Sequence, residues 1–272
     1  MEIENLNRFA LLGHPQRMAI LRLLIRRYPD KVSAGELGHA LEQRASTMSS
    51  YLASLAGADL IEQHREGTSR LYRVRLENVR AMTDYLLLDC CRGRPDLCAP
   101  THQSTEQVND KSNVLFVCTG NTARSIFAEA LLKKLGADRF NAYSAGTAPK
   151  SELNSFALET LVTQGHDIAG LRSKNVSEFH GPNAPKMDFV FTVCDRAANE
   201  ECPVWPGQPI AAHWGQSDPV SVIGSLADQR QAFAKTYRKL NDRIEAFVSL
   251  PMATLNQPSR QLAVDAIAME SN

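Results

Sequence analysis

The chain has 272 residues, enough for two domains that each bury a hydrophobic core. Lys and Arg number 30 and Asp and Glu number 30, so the formal net charge is zero. Any nucleic-acid binding must therefore depend on where basic residues are placed, not on bulk charge. No apolar stretch approaches the length needed to span a bilayer, and the first residues do not resemble a signal peptide. We expect a cytoplasmic protein.

The cysteines form two groups of three along the chain. In a reducing compartment such groups indicate metal binding or redox catalysis, not structural disulfides. The first group is Cys90, Cys91 and Cys98, and the second is Cys118, Cys194 and Cys202.

Residues 1–98 show the pattern of short helices followed by a hairpin. Pro15 opens one helix, and Ser33 with Glu36 three residues later forms a capping box for another. Gly67 lies in the turn of the hairpin. The predicted elements are helices at 6–12, 17–26, 34–41 and 48–58 (capped by Ser46 or Thr47), strands at 60–65 and 70–74, and a helix at 77–89.

This order of elements is that of a mainly α winged helix-turn-helix. The phrases Gly-His-Pro-Gln-Arg-Met-Ala-Ile-Leu at 13–21 and Ser-Ser-Tyr-Leu-Ala-Ser-Leu at 49–55 resemble the ArsR/SmtB repressors. The resemblance implies operator DNA as a partner and a homodimer formed through helices 5–12 and 77–89. The alternative is an ordinary helical domain that binds protein.

In a winged helix-turn-helix the second helix of the motif enters the major groove and the hairpin reaches the DNA backbone. The residues predicted to contact DNA from the helix are Arg44, Thr47, Ser49, Ser50 and Tyr51, and those from the wing are Arg65 and Arg70.

Cys90, Cys91 and Cys98 follow the last helix of this domain. Three thiolates with no adjacent histidine suit a soft three-coordinate ion, and As(III) or Sb(III) fits better than tetrahedral zinc. Some ArsR-type repressors place their arsenite cysteines at this C-terminal edge. The alternative is a flexible tail with incidental thiols. Residues 99–112 are polar and unpatterned, which predicts a linker.

Residues 113–125 combine a buried strand, a small-residue loop and a helix N-terminus. Unpaired N–H groups and the helix dipole make such a loop an anion site, here formed by Thr119, Gly120, Asn121, Thr122, Ala123 and Arg124. Cys118 begins the loop, and the helix dipole and Arg124 predict a thiolate near neutral pH. Arg124 offers a planar fork to an oxyanion, and Ser125 can donate to the sulfur.

Further strands are predicted at 140–144 and 187–193, with helices at 154–164 and 227–248. Strand–helix alternation with chemical groups at strand C-termini predicts an α/β fold with a flavodoxin-like parallel sheet. Residues 251–272 are weakly patterned, and we expect a frayed or swinging tail.

Four motifs resemble the low-molecular-weight protein tyrosine phosphatase family, specifically its arsenate reductase branch. They are Cys-Thr-Gly-Asn-Thr-Ala-Arg-Ser at 118–125, Ser-Ala-Gly-Thr at 144–147, Val-Cys-Asp at 193–195 and His-Trp-Gly-x-x-Asp-Pro at 213–219. Many relatives carry a second cysteine where this chain has Ala123, a position that is not the nucleophile. The resemblance implies the low-molecular-weight phosphatase fold and arsenate reduction without a catalytic cofactor in residues 113–250.

The remaining site residues follow from this branch. Cys194 leaves a strand at the same sheet edge as Cys118, and Cys202 follows in a polar segment, so the three thiols can form a relay served by thioredoxin or glutaredoxin. Asp218 is the candidate proton donor. His213 and Trp214 are assigned to packing around the loop. Two rival interpretations stay open: a phosphotyrosine phosphatase joined to a DNA-binding regulator, and a non-catalytic oxyanion sensor.

Overall fold

The structure is a computed structural model that describes residues 2–90, 111–181, 183–200, 205 and 207–270. It consists of two compact units, Met1–Thr105 and Glu106–Asn272. Cys91, Cys98, Cys202 and most of the predicted linker lie outside the described residues. The domain boundaries at 98, 112 and 250 stay predictions.

The first unit is mainly helical. Its three strands form an antiparallel sheet in the order β1-β3-β2. The helices are α1 (Glu2–Leu12), α2 (Pro15–Arg26), α3 (Ala34–Ala40), α4 (Ala45–Gly57) and α5 (Leu76–Asp84), which continues as a π-helix over Tyr85–Cys90. The strands are β1 (Val32–Ser33), β2 (Ile61–Glu66) and β3 (Ser69–Val74).

Local chemistry explains most of these boundaries. The Ser33 hydroxyl accepts the Glu36 N–H at the start of α3, but the Glu36 carboxylate pairs with Arg27 and does not complete the capping box. Gly67 has a φ of +59° in the two-residue turn between β2 and β3. The predicted cap at Ser46 or Thr47 is wrong, because α4 begins at Ala45 and Arg44 precedes it without a side-chain cap bond.

The core of the first unit is formed by one apolar side of each helix. The buried side chains include Ile20, Leu23 and Leu24 of α2, Leu37 of α3, and Met48, Leu52 and Leu55 of α4. Because α4 buries these three positions, its opposite side, with Ser49 and Ser50, is exposed.

The second unit is a parallel four-stranded sheet with helices, in the strand order β5-β4-β6-β7. The predicted mainly α first unit and the predicted α/β parallel sheet of the second unit are confirmed. The strands are β4 (Ser112–Cys118), β5 (Phe140–Gly146), β6 (Phe189–Thr192) and β7 (Ile210–His213). The helices are α6 (Arg124–Leu135), α7 (Ser155–Thr163), α8 (Asp195–Asn199), α9 (Leu226–Ser249) and α10 (Gln257–Glu270).

An aromatic cluster packs between the sheet and α9. Trp214 is fully buried and stacks on Phe191 with ring centroids 4.1 Å apart. Phe247 of α9 contacts both rings edge-on. The residue that follows β7 is thereby fixed at the carboxyl edge of the sheet.

The C-terminal residues are not the frayed tail that weak patterning predicted. Residues 257–270 form α10, which buries Val264, Ile267 and Ala268. The Trp214 indole N–H donates to the Val264 carbonyl at 3.2 Å. Apolar burial and this hydrogen bond hold the helix in place.

Among the described residues, none of the helices has both the length and the apolar character that a membrane crossing requires.

Candidate active site

Cys118 is the last residue of β4, and its sulfur faces the loop that follows. The side chain is buried, the Asn121 N–H donates to its Sγ at 3.1 Å, and the Ser125 Oγ lies 2.9 Å from the same sulfur. The thiol therefore lies at the base of the loop, where the loop meets the apolar core.

The loop turns its carbonyl groups outward. The carbonyls of Cys118, Thr119 and Gly120 accept the N–H groups of Thr147, Ala148 and Lys150 at 2.9 to 3.0 Å, and that of Thr122 accepts from Asn154. In a trans peptide the C=O and the next N–H point in opposite directions. The N–H groups of residues 119–121 and 123 therefore point inward and form a nest suited to an anion.

Gly146 allows this close approach between the loop and β5. A Cβ added at Gly146 would lie 2.5 Å from the Thr119 carbonyl oxygen. A side chain there would push the loop away from the segment after β5, whose N–H groups donate to the loop carbonyls. The Ser-Ala-Gly-Thr motif at 144–147 therefore shapes the anion nest from outside.

Asn121 braces the loop from within. It adopts a φ of +47°, a left-handed conformation that asparagine tolerates better than most residues. Its side-chain amide donates to the hydroxyls of Ser125 at 2.8 Å and Ser144 at 2.9 Å, and its amide oxygen accepts the Lys174 N–H at 2.7 Å. One side-chain amide thus joins the loop to α6, to β5 and to the segment that contains Lys174.

Arg124 is held beside the nest by the loop after β7. Its guanidinium donates to the Gln216 carbonyl at 2.9 Å and pairs with the Asp218 carboxylate at 3.2 Å. Asp218 is partly exposed and starts a short 3₁₀ turn, Pro219–Ser221. The structure therefore brings together the predicted oxyanion fork and the predicted proton donor.

Cys194 lies on the same edge of the sheet, next to the nest. It is buried at the start of α8, and the Thr119 hydroxyl lies 3.5 Å from its Sγ. The neighbouring strands β4 and β6 pair Val117 with Thr192, which places residue 118 at the end of β4 and residue 194 just beyond the adjacent end of β6. The third predicted thiol, Cys202, lies outside the described residues.

Burial raises the pKa of the Cys118 thiol, and the nearby Cys194 raises it further. Hydrogen bonds from Ser125 and the Asn121 N–H, and the charge of Arg124, lower this pKa by less. This corrects the prediction that Cys118 is a thiolate near neutral pH. The sequence showed the groups that stabilise the thiolate but not how deeply the sulfur is buried.

A buried ion pair behind the loop was missed by sequence reasoning. Glu129 of α6 accepts the Ser144 hydroxyl at 2.5 Å and the Lys174 ammonium at 3.0 Å, and Lys133 also pairs with it at 2.6 Å. Ser144 in turn accepts from Asn121, so the ion pair supports the nest. A signal was present: Glu129 interrupts an otherwise apolar buried run, 126–132.

His213 and Trp214 lie at the end of β7, close to the residues that hold Arg124. The Thr192 hydroxyl lies 2.8 Å from the His213 Nδ1, and the Asp195 carboxylate lies 3.2 Å from its Nε2. Both side chains are buried, which agrees with the packing role assigned to them.

In the first unit the residues predicted to contact DNA lie on α4 and on the hairpin. Arg65 and Arg70 face each other across the hairpin and are exposed, as are Arg44, Ser49 and Ser50. Thr47 is half-buried. Tyr51 is also half-buried, and its ring packs against His14 with centroids 5.0 Å apart. Cys90 is exposed where the π-helix ends; Cys91 and Cys98 lie outside the described residues.

The second unit is similar to a known protein family. The model of the family "Low molecular weight phosphotyrosine protein phosphatase" matches residues 113–260. The chain belongs to this family. The resemblance inferred from the four motifs is confirmed, and the second unit is an enzyme domain of the low-molecular-weight phosphatase type.

Individual known proteins are similar to parts of the chain. An arsenate reductase of Bacillus licheniformis is 33% identical over 138 residues, which cover 50% of this chain and 95% of that protein. The crystal structure of arsenate reductase from Archaeoglobus fulgidus is 25% identical with a TM-score of 0.40, covering 50% of this chain and 99% of that one. An ArsR-like transcriptional regulator from Rhodococcus sp. RHA1 is 22% identical with a TM-score of 0.31, and the match covers 36% of this chain and 90% of that one.

Proposed function

We propose that the second unit reduces arsenate to arsenite with Cys118, Cys194 and Cys202 as a thiol relay. The observation that carries this proposal is the placement of a second buried thiol, Cys194, beside the anion nest whose base is Cys118. A phosphatase needs only one thiol, whereas an enzyme that delivers two electrons to a bound oxyanion needs a second. The curated relatives named arsenate reductase support the same choice.

The chemistry begins with the Cys118 sulfur attacking arsenic in an arsenate held by the inward N–H groups and Arg124. A sulfur–arsenic bond forms and one oxygen leaves as water. Because the pKa of the Cys118 thiol is raised, we assign its proton to an oxygen of the arriving arsenate, which carries negative charge. Arsenate takes over the Arg124 guanidinium that pairs with Asp218 in the free chain. The Asp218 carboxyl, now beside a bound anion, takes up the second proton and passes it to the departing oxygen.

Cys194 then attacks the sulfur of Cys118. The sulfur–sulfur bond forms as the sulfur–arsenic bond breaks, and arsenic keeps the electron pair and leaves as arsenite. Cys202 next attacks Cys194 and releases Cys118, leaving a Cys194–Cys202 disulfide. A thioredoxin- or glutaredoxin-like dithiol supplies the two electrons that restore it. No catalytic cofactor takes part in this scheme.

Arsenate-dependent oxidation of thioredoxin by the purified chain tests the proposal. The Cys194→Ser variant should form one Cys118–arsenic adduct per chain and no further product, because the thiol that lies next to the anion nest and attacks Cys118 is gone. A Cys90→Ser variant, which changes an exposed thiol outside the relay, should turn over normally. Repeated turnover by Cys194→Ser with thioredoxin would refute the relay.

A phosphotyrosine phosphatase joined to a regulator is the second candidate. The Arg124–Asp218 pair beside Cys118 favours it, because phosphoryl transfer needs these three groups and neither Cys194 nor Cys202. Hydrolysis of p-nitrophenyl phosphate that is faster than arsenate reduction, and unchanged in Cys194→Ser, would select this candidate.

We further propose that the first unit is an arsenite-responsive repressor. The exposed side of α4 and the exposed wing arginines support binding of operator DNA. Exposed Ile3 and Leu6 of α1, with Leu86 and Leu87 after α5, support a homodimer formed by these terminal helices. As(III) or Sb(III) bound by Cys90, Cys91 and Cys98 would release the DNA. A reducing compartment, the cytoplasm, keeps these thiols available.

The salt dependence of DNA binding tests the repressor role. Each wing arginine that contacts a phosphate should contribute about 1 to the slope of log affinity against log salt concentration. Arg65→Gln with Arg70→Gln should therefore lower the slope by roughly 2. Lys235→Gln with Arg238→Gln, on the exposed side of α9 in the second unit, removes the same charge and is the matched control. An unchanged slope in the double variant would contradict the proposed wing contacts.

A further inference from the structure

A second cavity lies on the outer side of β5, away from the inward N–H groups of the nest. Its volume is about 440 Å³, within the range of small-molecule sites. One wall is the edge strand β5 from Phe140 to Tyr143, and another includes Gly170 and Arg172. Neither the proposed reaction nor the proposed repressor function uses this cavity.

The lining is strongly cationic. Lys111, Lys133, Arg172 and Lys174 line the cavity together with a single carboxylate, that of Glu129. Glu129 is shared by Lys133 and Lys174, and Arg172 forms a two-bond pair with Glu178 at 2.6 and 3.0 Å. Four positive groups thus face two negative ones, so the local charge is about +2.

Lys111 has a neutral partner where the other three cations have carboxylates. Its Nζ donates to the Ala137 carbonyl at 2.6 Å, and the part of the chain that the structure describes gives it no ion pair. An arriving anion therefore need not displace a carboxylate to bind Lys111.

The edge of β5 adds backbone donors to the cavity. The Arg139 carbonyl bonds to Ser112 of β4, so alternate residues of β5 face β4 and those between them face outward. Gly146 is one of the outward residues, and its N–H donates to the Lys174 backbone carbonyl. Ala142, by the same alternation, presents its N–H and C=O to the cavity that it lines.

We propose that this cavity is a second anion site, which binds a small molecule with at least two negative charges on phosphate-type or carboxylate oxygens. Lys111 and Arg172 hold one anionic group by charge-assisted hydrogen bonds, and Lys133 and Lys174 hold the other. The site needs a ligand that can approach three or four cations at once, which a singly charged ion does poorly.

Binding there is coupled to the nest through Glu129. An anion that draws Lys133 and Lys174 leaves the Glu129 carboxylate with less positive charge and strengthens its hold on the Ser144 hydroxyl. Ser144 accepts from Asn121, which also donates to Ser125, and Ser125 bonds to the Cys118 sulfur. A ligand in the cavity thereby changes the reactivity of a thiol that it does not touch.

Calorimetric titration with inorganic pyrophosphate tests the site, using an Arg124→Gln chain to weaken binding at the nest. We expect pyrophosphate to bind the Arg124→Gln chain. Adding Lys111→Gln and Arg172→Gln to that chain should weaken the affinity for pyrophosphate at least tenfold. Lys235→Gln with Arg238→Gln removes the same charge from the exposed side of α9 and should have no effect. Absence of binding, or equal affinity in the cavity variant and the α9 variant, overturns the proposal.

The coupling has its own measurement in the same chains. Pyrophosphate should change the rate at which iodoacetamide alkylates Cys118 in the Arg124→Gln chain, and the cavity substitutions should abolish that change. An alkylation rate that pyrophosphate leaves unaltered overturns the coupling. Neither measurement involves arsenate, so the outcome is independent of whether the second unit reduces it.

Discussion

Cys118 is surrounded by groups that oppose each other. Burial and Cys194 raise the pKa of its thiol, while Ser125, the Asn121 N–H and Arg124 lower it. The balance favours a protonated sulfur in the free enzyme. Arsenate binds to the positive charge of Arg124 and also provides an oxygen that accepts the thiol proton. Activation of the nucleophile therefore accompanies substrate binding.

Two substitutions beside this sulfur should shift its pKa in opposite directions. Ser125→Ala removes a stabilising hydrogen bond and should raise the pKa, whereas Cys194→Ala removes a raising influence and should lower it. Because the thiolate is the reactive form, the alkylation rate should follow the direction of each pKa change. Alkylation of Cys118 at pH 7.5 should slow in the first variant and accelerate in the second.

The pH dependence of iodoacetamide labelling, followed by mass spectrometry of the Cys118 peptide, measures both effects. Exposed Cys90 in the same sample is an internal control, because both substitutions lie in the other unit and far from Cys90 in sequence. Shifts of the same sign in the two variants would contradict the assigned causes.

At the scale of single residues the sequence predicted partners that are close along the chain. Cys118, Asn121, Arg124 and Ser125 lie within eight positions, and their spacing on a strand–loop–helix is enough to infer an anion site. The Glu129–Lys174 pair joins residues 45 positions apart, so only the fold reveals it. The pKa of Cys118 was also beyond sequence reasoning, since burial depends on the packing of the whole unit.

At the scale of elements, segments with a clear apolar pattern were predicted well and segments without one were missed. α9 was expected at 227–248 and spans Leu226–Ser249. β7 has four residues and was missed, because so short a run carries no usable alternation. α10 was missed because exposed Leu262 and Met269 obscure the spacing of its buried face at 264, 267 and 268.

α10 also carries a buried acid, Asp265, whose only bond among the described residues is with Gln261. Burial raises the pKa of Asp265 from 3.8 to about 6. The folded chain therefore binds a proton more tightly than the unfolded chain, and stability falls as pH rises from about 4 to about 6.

Asp265→Asn should remove this pH dependence. It should raise the free energy of unfolding by about 1 to 3 kcal/mol at pH 7.5 and have little effect near pH 4, because the acid is already protonated there. Urea unfolding at the two pH values measures the difference. Asp242→Asn, on α9, is a control of equal charge change. A stabilisation that is equal at both pH values would show that ionisation of Asp265 is not its cause.

At the scale of the whole chain, the proposed product of one unit is the proposed ligand of the other. A tether between an enzyme and a sensor sets a high effective concentration of one for the other. Arsenite released by the second unit would then reach the thiols of Cys90, Cys91 and Cys98 before it dilutes.

We expect arsenate with thioredoxin and its reductant to release operator DNA from the intact chain. The Cys118→Ser chain should stay bound under the same conditions, because it makes no arsenite. Added arsenite should release both chains equally, which shows that the variant can still respond. Fluorescence anisotropy of labelled DNA in a purified system measures the release. Equal responses of the two chains to arsenate would contradict the coupling.

The way α10 lies along β7 bears on how the protein can be shortened. The Gln261 side chain donates to the outward Ala211 carbonyl at 2.7 Å, and Gln257 donates to Gln208 at 3.3 Å, so glutamine amides cap the margin of the sheet. A bare strand margin recruits strands from other molecules. Expression products ending near residue 250 should consequently aggregate, and fusion tags are better placed beyond Glu270 than in place of the helix.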